Sequence, residues 1–278
     1  MAAGFDTISF LSDYGLDDEF AGVVRAVIAA IAPATRVIDV THQVAPHDIR
    51  AGSLVLARSI QYLPPGVVLA VVDPGVGTAR RAVAVEVGGD PDDESNDRWV
   101  LVGPDNGLLA PAVALAGGAR RAVSLTNVEW HLAAPGPTFA GRDVFGPVAA
   151  HLCSGVELDE LGEPVDPFTL LPGIIPLSRA EDGGVEGEVL WVDRFGNAQL
   201  NVGPDEIDAM GSPIVVRMGD RTRSAARVTS FAQLATGQVG LVVDSYGLLA
   251  VALDRRSAAE DLTLAAGDLV RLEPSGDA

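Results

Sequence analysis

Two aspartates in this chain stand where a strand ends and a turn begins. Asp73 follows the apolar run Leu69-Ala70-Val71-Val72 and precedes Pro74-Gly75-Val76-Gly77-Thr78. An unbroken apolar run is the pattern of a strand covered on both faces. Ligands of open α/β sheets bind just past the carboxyl ends of such strands. Asp13 repeats the arrangement, because Ile8-Ser9-Phe10-Leu11 runs into Ser12-Asp13-Tyr14-Gly15. Two strand-end carboxylates predict one shared site. A carboxylate at Asp13 can accept two hydrogen bonds, which suits the cis-diol of a ribose. The competing chemistry is a divalent cation held by Asp13, Asp18, Asp73 and Asp105. No His-x-His or His-Glu-x-x-His pattern supports it, so it ranks second.

Arg80 lies close enough along the chain to fold back onto Asp73 and position a polar reactant beside it. The plainer account is that Arg80-Arg81 forms the polar edge of the next strand. Gly75-Val76-Gly77 lacks the full G-x-G-x-x-G fingerprint and no helix pattern follows it, which argues against a bound pyrophosphate. His42 and His47, in Thr41-His42-Gln43-Val44-Ala45-Pro46-His47-Asp48, could act as base or ligand or serve only as polar contacts. His131 and His151 read as structural, in strand-like and helical settings. Asp17, Asp18 and Glu19 are acids at a helix start, where dipole and capping favour them.

The elements that must carry these residues alternate between strand and helix. Residues 7–11, 37–40, 67–72, 82–87 and 100–102 read as strands. Residues 18–31 place Phe20, Val23, Val24, Val27, Ile28 and Ile31 on one helical face, with Pro33 as a stop. Residues 51–63 and 144–152 read as further helices. This β-α-β alternation predicts an α/β domain with a mostly parallel sheet and helices on its faces. The acidic stretch GDPDDESNDR, residues 89–98, reads as an exposed hairpin loop.

Prolines and glycines then crowd a segment with little periodicity. The expected organisation is an N-terminal α/β domain over 1–165, a linker over 166–184 and an all-β domain of sandwich or barrel type over 185–278. Runs at 189–192, 214–217, 239–243 and 248–253 supply its strands, and Gly219-Asp220 a hairpin turn.

With 19 basic and 38 acidic residues the formal charge is −19, which argues against a nucleic-acid or anionic-membrane surface. The single cysteine, Cys153, excludes an internal disulfide and reads as helix-end filling. No run of 18 apolar residues occurs and the first residues lack a signal-peptide pattern, so the expected location is the cytoplasm.

Six strings occur in order: Phe10-Leu11-Ser12-Asp13-Tyr14-Gly15, Asp39-Val40-Thr41-His42, Val72-Asp73-Pro74-Gly75-Val76-Gly77-Thr78, Gly103-Pro104-Asp105-Asn106-Gly107-Leu108, Thr138-Phe139-Ala140-Gly141-Arg142-Asp143 and Asp193-Arg194-Phe195-Gly196-Asn197. Together they resemble the S-adenosyl-L-methionine (SAM) hydroxide adenosyltransferases, relatives of the fluorinase and chlorinase. The resemblance covers nearly the whole chain. It implies an N-terminal α/β domain with a β-barrel domain after it, and a homotrimer with active sites at subunit interfaces. The reaction implied is attack of water or hydroxide on C5′ of SAM, releasing adenosine and L-methionine without a metal or organic cofactor.

The resemblance also assigns roles. Asp13 matches the ribose-binding aspartate, and Asp18 a carboxylate near the methionine amino group. Asp73 and Arg80 match two of three polar residues that orient the attacking water. Asn197 and Ser245, with the backbone near Leu253, match adenine and methionine contacts in the second domain. His47 stands where relatives place an aromatic ring near the ribose, and Asn106 and Gly141 fall within substrate-binding motifs.

One position departs from the pattern. Hydrolases of this family usually read Thr-Phe-His-Gly-Arg-Asp, and this chain has Ala140 in place of that histidine. Loss of a positioned acid–base group costs roughly 10²–10⁴-fold in rate. A weakened hydrolase is therefore expected, with Ala140→His raising SAM hydrolysis at little change in adenosine affinity. The alternatives are a chlorinase-like halide transferase, which the negative charge of Asp73 disfavours, and a protein that binds adenosine or SAM without turnover.

Overall fold

The computed structural model describes residues 4–89 and 97–276. The chain divides into two compact units, Met1–Ile174 and Ile175–Ala278. The boundary falls inside the proline-rich segment 166–184.

The first unit runs β1 (Thr7–Ser12), α1 (Phe20–Ile31), β2 (Arg36–Thr41), α2 (Ile49–Ser59), β3 (Gly66–Val71), β4 (Ala82–Gly88), β5 (Arg98–Pro104), α3 (Ala110–Leu115), β6 (Ala119–Ser124), α4 (Gly146–Cys153) and β7 (Glu163–Val165). Its sheet has the order β2-β1-β3-β5-β4-β6-β7. The pairings β2–β1, β1–β3 and β3–β5 are parallel, and β4, β6 and β7 extend the sheet antiparallel. From β1 the chain moves outward to β2, then crosses over to β3 on the other side. Between β1 and β3 the strand order reverses, and crevices of this kind receive ligands in α/β sheets.

Burial on both faces explains the unbroken apolar strands. Side chains alternate along a strand, so Val67, Leu69 and Val71 of β3 join the cluster formed with Val24 and Ile28 of α1 and Val148 and Leu152 of α4. Residues between them point to the opposite face, where α2 packs so closely that a Cβ on Gly52 would lie 2.9 Å from Val72 and Leu108 side chains. A methyl there would require these side chains or the helix to shift.

Several element ends differ from the sequence reading. α1 begins at Phe20, and Glu19 is its N-cap without a side-chain cap bond. The acids therefore precede the helix and leave its first turn without a carboxylate. Phe20 is more than a third exposed, and the buried stripe is Ala21, Val24 and Ile28. α2 begins at Ile49 on an Asp48 cap and tightens into a 3₁₀ turn at Ile60–Tyr62. His131 lies just after a 3₁₀ turn (Val128–Trp130), outside any strand. Most of the acidic stretch 89–98 lies outside the described residues; Gly88 and Arg98, which flank it, pair across antiparallel β4 and β5.

The second unit contains β8 (Arg179–Glu181), β9 (Gly184–Val192), β10 (Ala198–Leu200), β11 (Ile214–Met218), β12 (Arg221–Val228), β13 (Val239–Val243), β14 (Leu249–Ala252), α5 (Ala258–Leu262) and β15 (Leu269–Pro274). Strands β10-β14-β13-β12-β11-β15-β9 are hydrogen-bonded in turn, and β9 pairs with β10 to close a seven-stranded barrel. β9 is long enough to meet β15 along one edge and β8 and β10 along the other. Val189, Leu200, Ile214, Val216, Leu241, Val251 and Leu272 fill the interior. Gly219-Asp220 turns the β11–β12 hairpin, with Gly219 at φ +60°. Among the described residues no helix is long and apolar enough to cross a membrane.

Candidate active site

The two strand-end aspartates flank the switch point of the α/β unit. Asp13 continues the β1–β3 ladder one residue past the strand, its N–H donating to the Val71 carbonyl at 3.3 Å. Its carboxylate Oδ2 accepts from the His47 backbone N–H at 2.9 Å. His47 adopts φ +68°, unusual for a residue with a Cβ, and its ring is exposed. The contact made by His47 is thus a backbone clamp on Asp13.

Asp73 leaves β3 into a tight turn. The Val76 N–H donates to the Asp73 carbonyl, and both the N–H and hydroxyl of Thr78 donate to the Gly75 carbonyl. This winding returns Arg80 to Asp73. The Arg80 Nε donates to both carboxylate oxygens at 2.9 and 3.0 Å, and Nη2 donates to Oδ2 at 2.5 Å. The pair is nearly enclosed, with side chains 6% and 16% exposed for Asp73 and Arg80. Beneath it the Phe145 ring faces the guanidinium at 5.1 Å. A flat cation stacked on a ring and forked onto a carboxylate has little freedom to turn.

Phe145 ends a single π-helical turn, Gly141–Phe145, that opens α4. Such turns occur often at functional sites. Ala140 precedes this turn and is half-buried against the core. Arg142 and Asp143 pair with each other at 2.6 and 3.0 Å, and Arg142 also stacks on Phe139. Their contribution is to fix the turn.

Tyr14 is the residue that sequence reading did not single out. Its ring packs against Phe10, Phe20 and Phe139. Its hydroxyl sits over Gly141 so closely that a Cβ there would lie 2.1 Å from it. Burial raises the Tyr14 phenol far above its ordinary value, and the carboxylates of Asp13 and Asp73 raise it further. A backbone hydrogen bond from Gly141, and then Arg80, pull weakly the other way. A bond that favours the anion must donate to the oxygen, so the Gly141 N–H is the donor. The only signal in the sequence is adjacency to Asp13, because the approach to Gly141 is long-range.

The remaining predicted residues take varied places. Asn106 is committed to backbone, donating to the Val72 carbonyl at 2.9 Å and accepting from the Leu108 N–H at 3.1 Å. Asp18 is exposed in the turn before α1. Asp105 pairs with Arg81 and accepts from the Leu171 N–H at 2.8 Å. His42 is buried, bonded through Nδ1 to the Ser12 hydroxyl at 2.8 Å and through Nε2 to Asp39 at 3.1 Å. Ser12 Oγ also accepts from the Tyr14 N–H at 3.3 Å, so His42 braces the turn that carries Asp13 and Tyr14. Among the described residues, no group of three or more His, Cys, Asp or Glu side chains is arranged to hold a metal ion.

In the barrel unit Asn197 and Leu253 line one cleft of about 650 Å³ with Phe195, Phe231, Arg255 and Ser257. Asp193 shapes it by accepting from the backbone N–H groups of Phe195 and Asn197 and from the Asn197 side chain at 2.7 Å. Ser245 is exposed in the turn that Asp244 caps, and does not line that cleft.

Residues 8–162 match the SAM hydroxide adenosyltransferase N-terminal domain, and residues 187–271 match the C-terminal domain of the same family. The chain belongs to this family. It is 46% identical over 265 residues to a protein of Salinispora tropica named (R)-S-adenosyl-L-methionine hydrolase, covering 95% of this chain and 97% of that one. A fluorinase of an Actinoplanes species is 26% identical over 291 residues, covering 96% and 97%. A crystal structure of an uncharacterized conserved protein from Thermotoga maritima superposes with a TM-score of 0.85 at 34% identity, covering 96% and 99%.

Proposed function

We propose that this SAM hydroxide adenosyltransferase hydrolyses SAM to adenosine and L-methionine by displacement at C5′. The observation that carries the reading is the forked, enclosed Asp73–Arg80 pair beside Asp13 at the switch point. Asp13 accepts the ribose hydroxyls, Asp18 faces the methionine amino group, and Asn197, Ser245 and the backbone near Leu253 serve the adenine and methionine ends of the substrate. The assembly expected with this reading is a homotrimer, measurable by light scattering coupled to gel filtration.

In the reaction a lone pair of the water oxygen forms the O–C5′ bond. The C5′–S bond breaks with its pair on sulfur, which leaves as a neutral thioether. One water proton passes through Asp73 to solvent. Because the leaving group departs neutral, neither a general acid nor a Lewis acid is needed. What remains is to hold a desolvated oxygen in line with the breaking bond, and such positioning can contribute several kcal/mol. Two carboxylates against one guanidinium leave the pocket net negative. That disfavours a halide as nucleophile and tolerates water.

Chromatography of SAM incubated with the protein tests this. Adenosine and methionine in equal amounts, undiminished by excess chelator, are expected. 5′-Chloroadenosine formed in chloride buffer, or tight adenosine binding without product, would overturn the reading.

A further inference from the structure

The family's histidine is absent at position 140, yet a hydroxyl stands against the residue that follows it. The Tyr14 hydroxyl reaches the next residue, Gly141, and only a glycine admits it there, with the ring carbons 3.0 and 3.1 Å from an added Cβ. Ser12 and His42 brace its backbone, and Phe10, Phe20 and Phe139 hold its ring. A side chain restrained at backbone and ring, with its hydroxyl against the π turn whose far end, Phe145, lies under Arg80, is a preorganised polar group. Resting on the hydrolase reading above, we propose that the Tyr14 hydroxyl is the third polar group on the attacking water, standing in for the imidazole that Ala140 lacks.

The hydrogen-bond inventory of the hydroxyl fits that role. One lone pair of the phenolic oxygen accepts from the Gly141 N–H. The second lone pair is left for the water. Water held between two acceptors donates one hydrogen to Asp73 and the other to Tyr14, and its own lone pair then faces C5′. The phenol remains neutral throughout and only positions the water; the departing proton leaves by way of Asp73. The rate deficit expected from Ala140 alone is therefore offset in this chain.

Four forms test the proposal: the unmodified protein, Tyr14→Phe, Ala140→His and the double variant. Each is assayed for kcat and KM with SAM, and for adenosine binding by calorimetry as a check on the folded site. Phenylalanine preserves the ring contacts and removes only the hydroxyl. Misplacing the nucleophile costs about 10²-fold, so kcat of Tyr14→Phe is expected to fall by about that factor with KM little changed. Ala140→His should restore the loss in the Tyr14→Phe background and raise the unmodified protein by less than about tenfold, because groups doing one task are not additive. Full kcat in Tyr14→Phe overturns the proposal and leaves the hydrolase reading standing. So does an equal gain from Ala140→His in both backgrounds, since a purely structural tyrosine would give no such coupling. Absence of adenosine from the unmodified protein overturns the hydrolase reading, and the proposal falls with it.

Discussion

Arg80 meets Asp73 side-on, its Nε shared between both carboxylate oxygens while Nη2 closes on one of them. The contact is a positional lock as much as a charge pair, since the planar fork admits one orientation of the carboxylate. Arg80→Lys keeps the charge and loses the fork. Its kcat is expected to fall by about 10²-fold, the scale of a misaligned nucleophile, with a smaller change in KM. Asp73→Asn should cost about 10²–10⁴-fold by removing the proton acceptor. The double variant Asp73→Asn/Arg80→Lys should be no slower than Asp73→Asn alone. Steady-state kinetics on the three variants checks this, and additive losses would mean that the two residues act separately.

Removing the guanidinium altogether strands a carboxylate that is only 6% exposed. Breaking an enclosed pair from one side costs about 3–5 kcal/mol, so Arg80→Ala should unfold at markedly lower urea. Asp73→Asn/Arg80→Ala should recover much of that loss, as no unpaired charge remains. Equal midpoints for the single and double variants would show that stacking of Arg80 on Phe145, 5.1 Å away, carries its stability role.

Gly141→Ala strikes the approach of Tyr14 directly. The added methyl would occupy the place of the hydroxyl, so either the ring withdraws or the π turn shifts. Overpacking of this kind costs about 1–3 kcal/mol. The variant should melt earlier and show a changed near-ultraviolet tyrosine spectrum, with kcat reduced alongside. An unaltered spectrum and melting point would mean that the site accommodates the methyl freely.

The chain contains three tyrosines, of which Tyr62 is 70% exposed and Tyr246 48% exposed. Burial, with Asp13 and Asp73, holds the Tyr14 phenol well above its ordinary value. An alkaline titration followed by phenolate absorbance should show the Tyr14 phenol ionising only as the protein unfolds. Tyr14→Phe should remove that step. A reversible Tyr14 step near pH 10, recognised by its loss in Tyr14→Phe, would contradict a desolvated Tyr14.

Much of this site could be read from local patterns. The apolar runs of β1 and β3 end abruptly at acids, and a sheet buried on both faces makes such an end conspicuous. Arg80 was reachable because a Pro-Gly turn limits where the chain can go. What escaped is non-local or patternless. No spacing of residue types separates an i→i+5 turn at Gly141–Phe145 from an α-helix start. α3 is only six residues, too short for a periodicity to register. β6 carries Arg120 and Arg121 among alanines, so its strand character comes from pairing with β4 and β7. The bracing of Ser12 by His42 and Asp39, and the meeting of Tyr14 with Gly141, exist only once β1, β2 and the π turn are assembled.

Two histidines outside the site set a pH dependence of stability. Desolvation lowers both His131 and His151 from the ordinary imidazole value of 6.5, and the His151 ring packs edge-on against Trp130. For a group whose folded value is depressed, the unfolded chain binds the proton first as pH falls. Stability is then present in full above 6.5 and declines as pH drops through the lower folded values. Carboxylate protonation adds to the loss at more acid pH, so the comparison must isolate the imidazoles. Urea unfolding between pH 8 and pH 5.5 should therefore be steeper in pH for the unmodified protein than for His131→Gln/His151→Gln, which cannot take up those protons. Parallel pH profiles for the two proteins would show that neither imidazole is held neutral by burial.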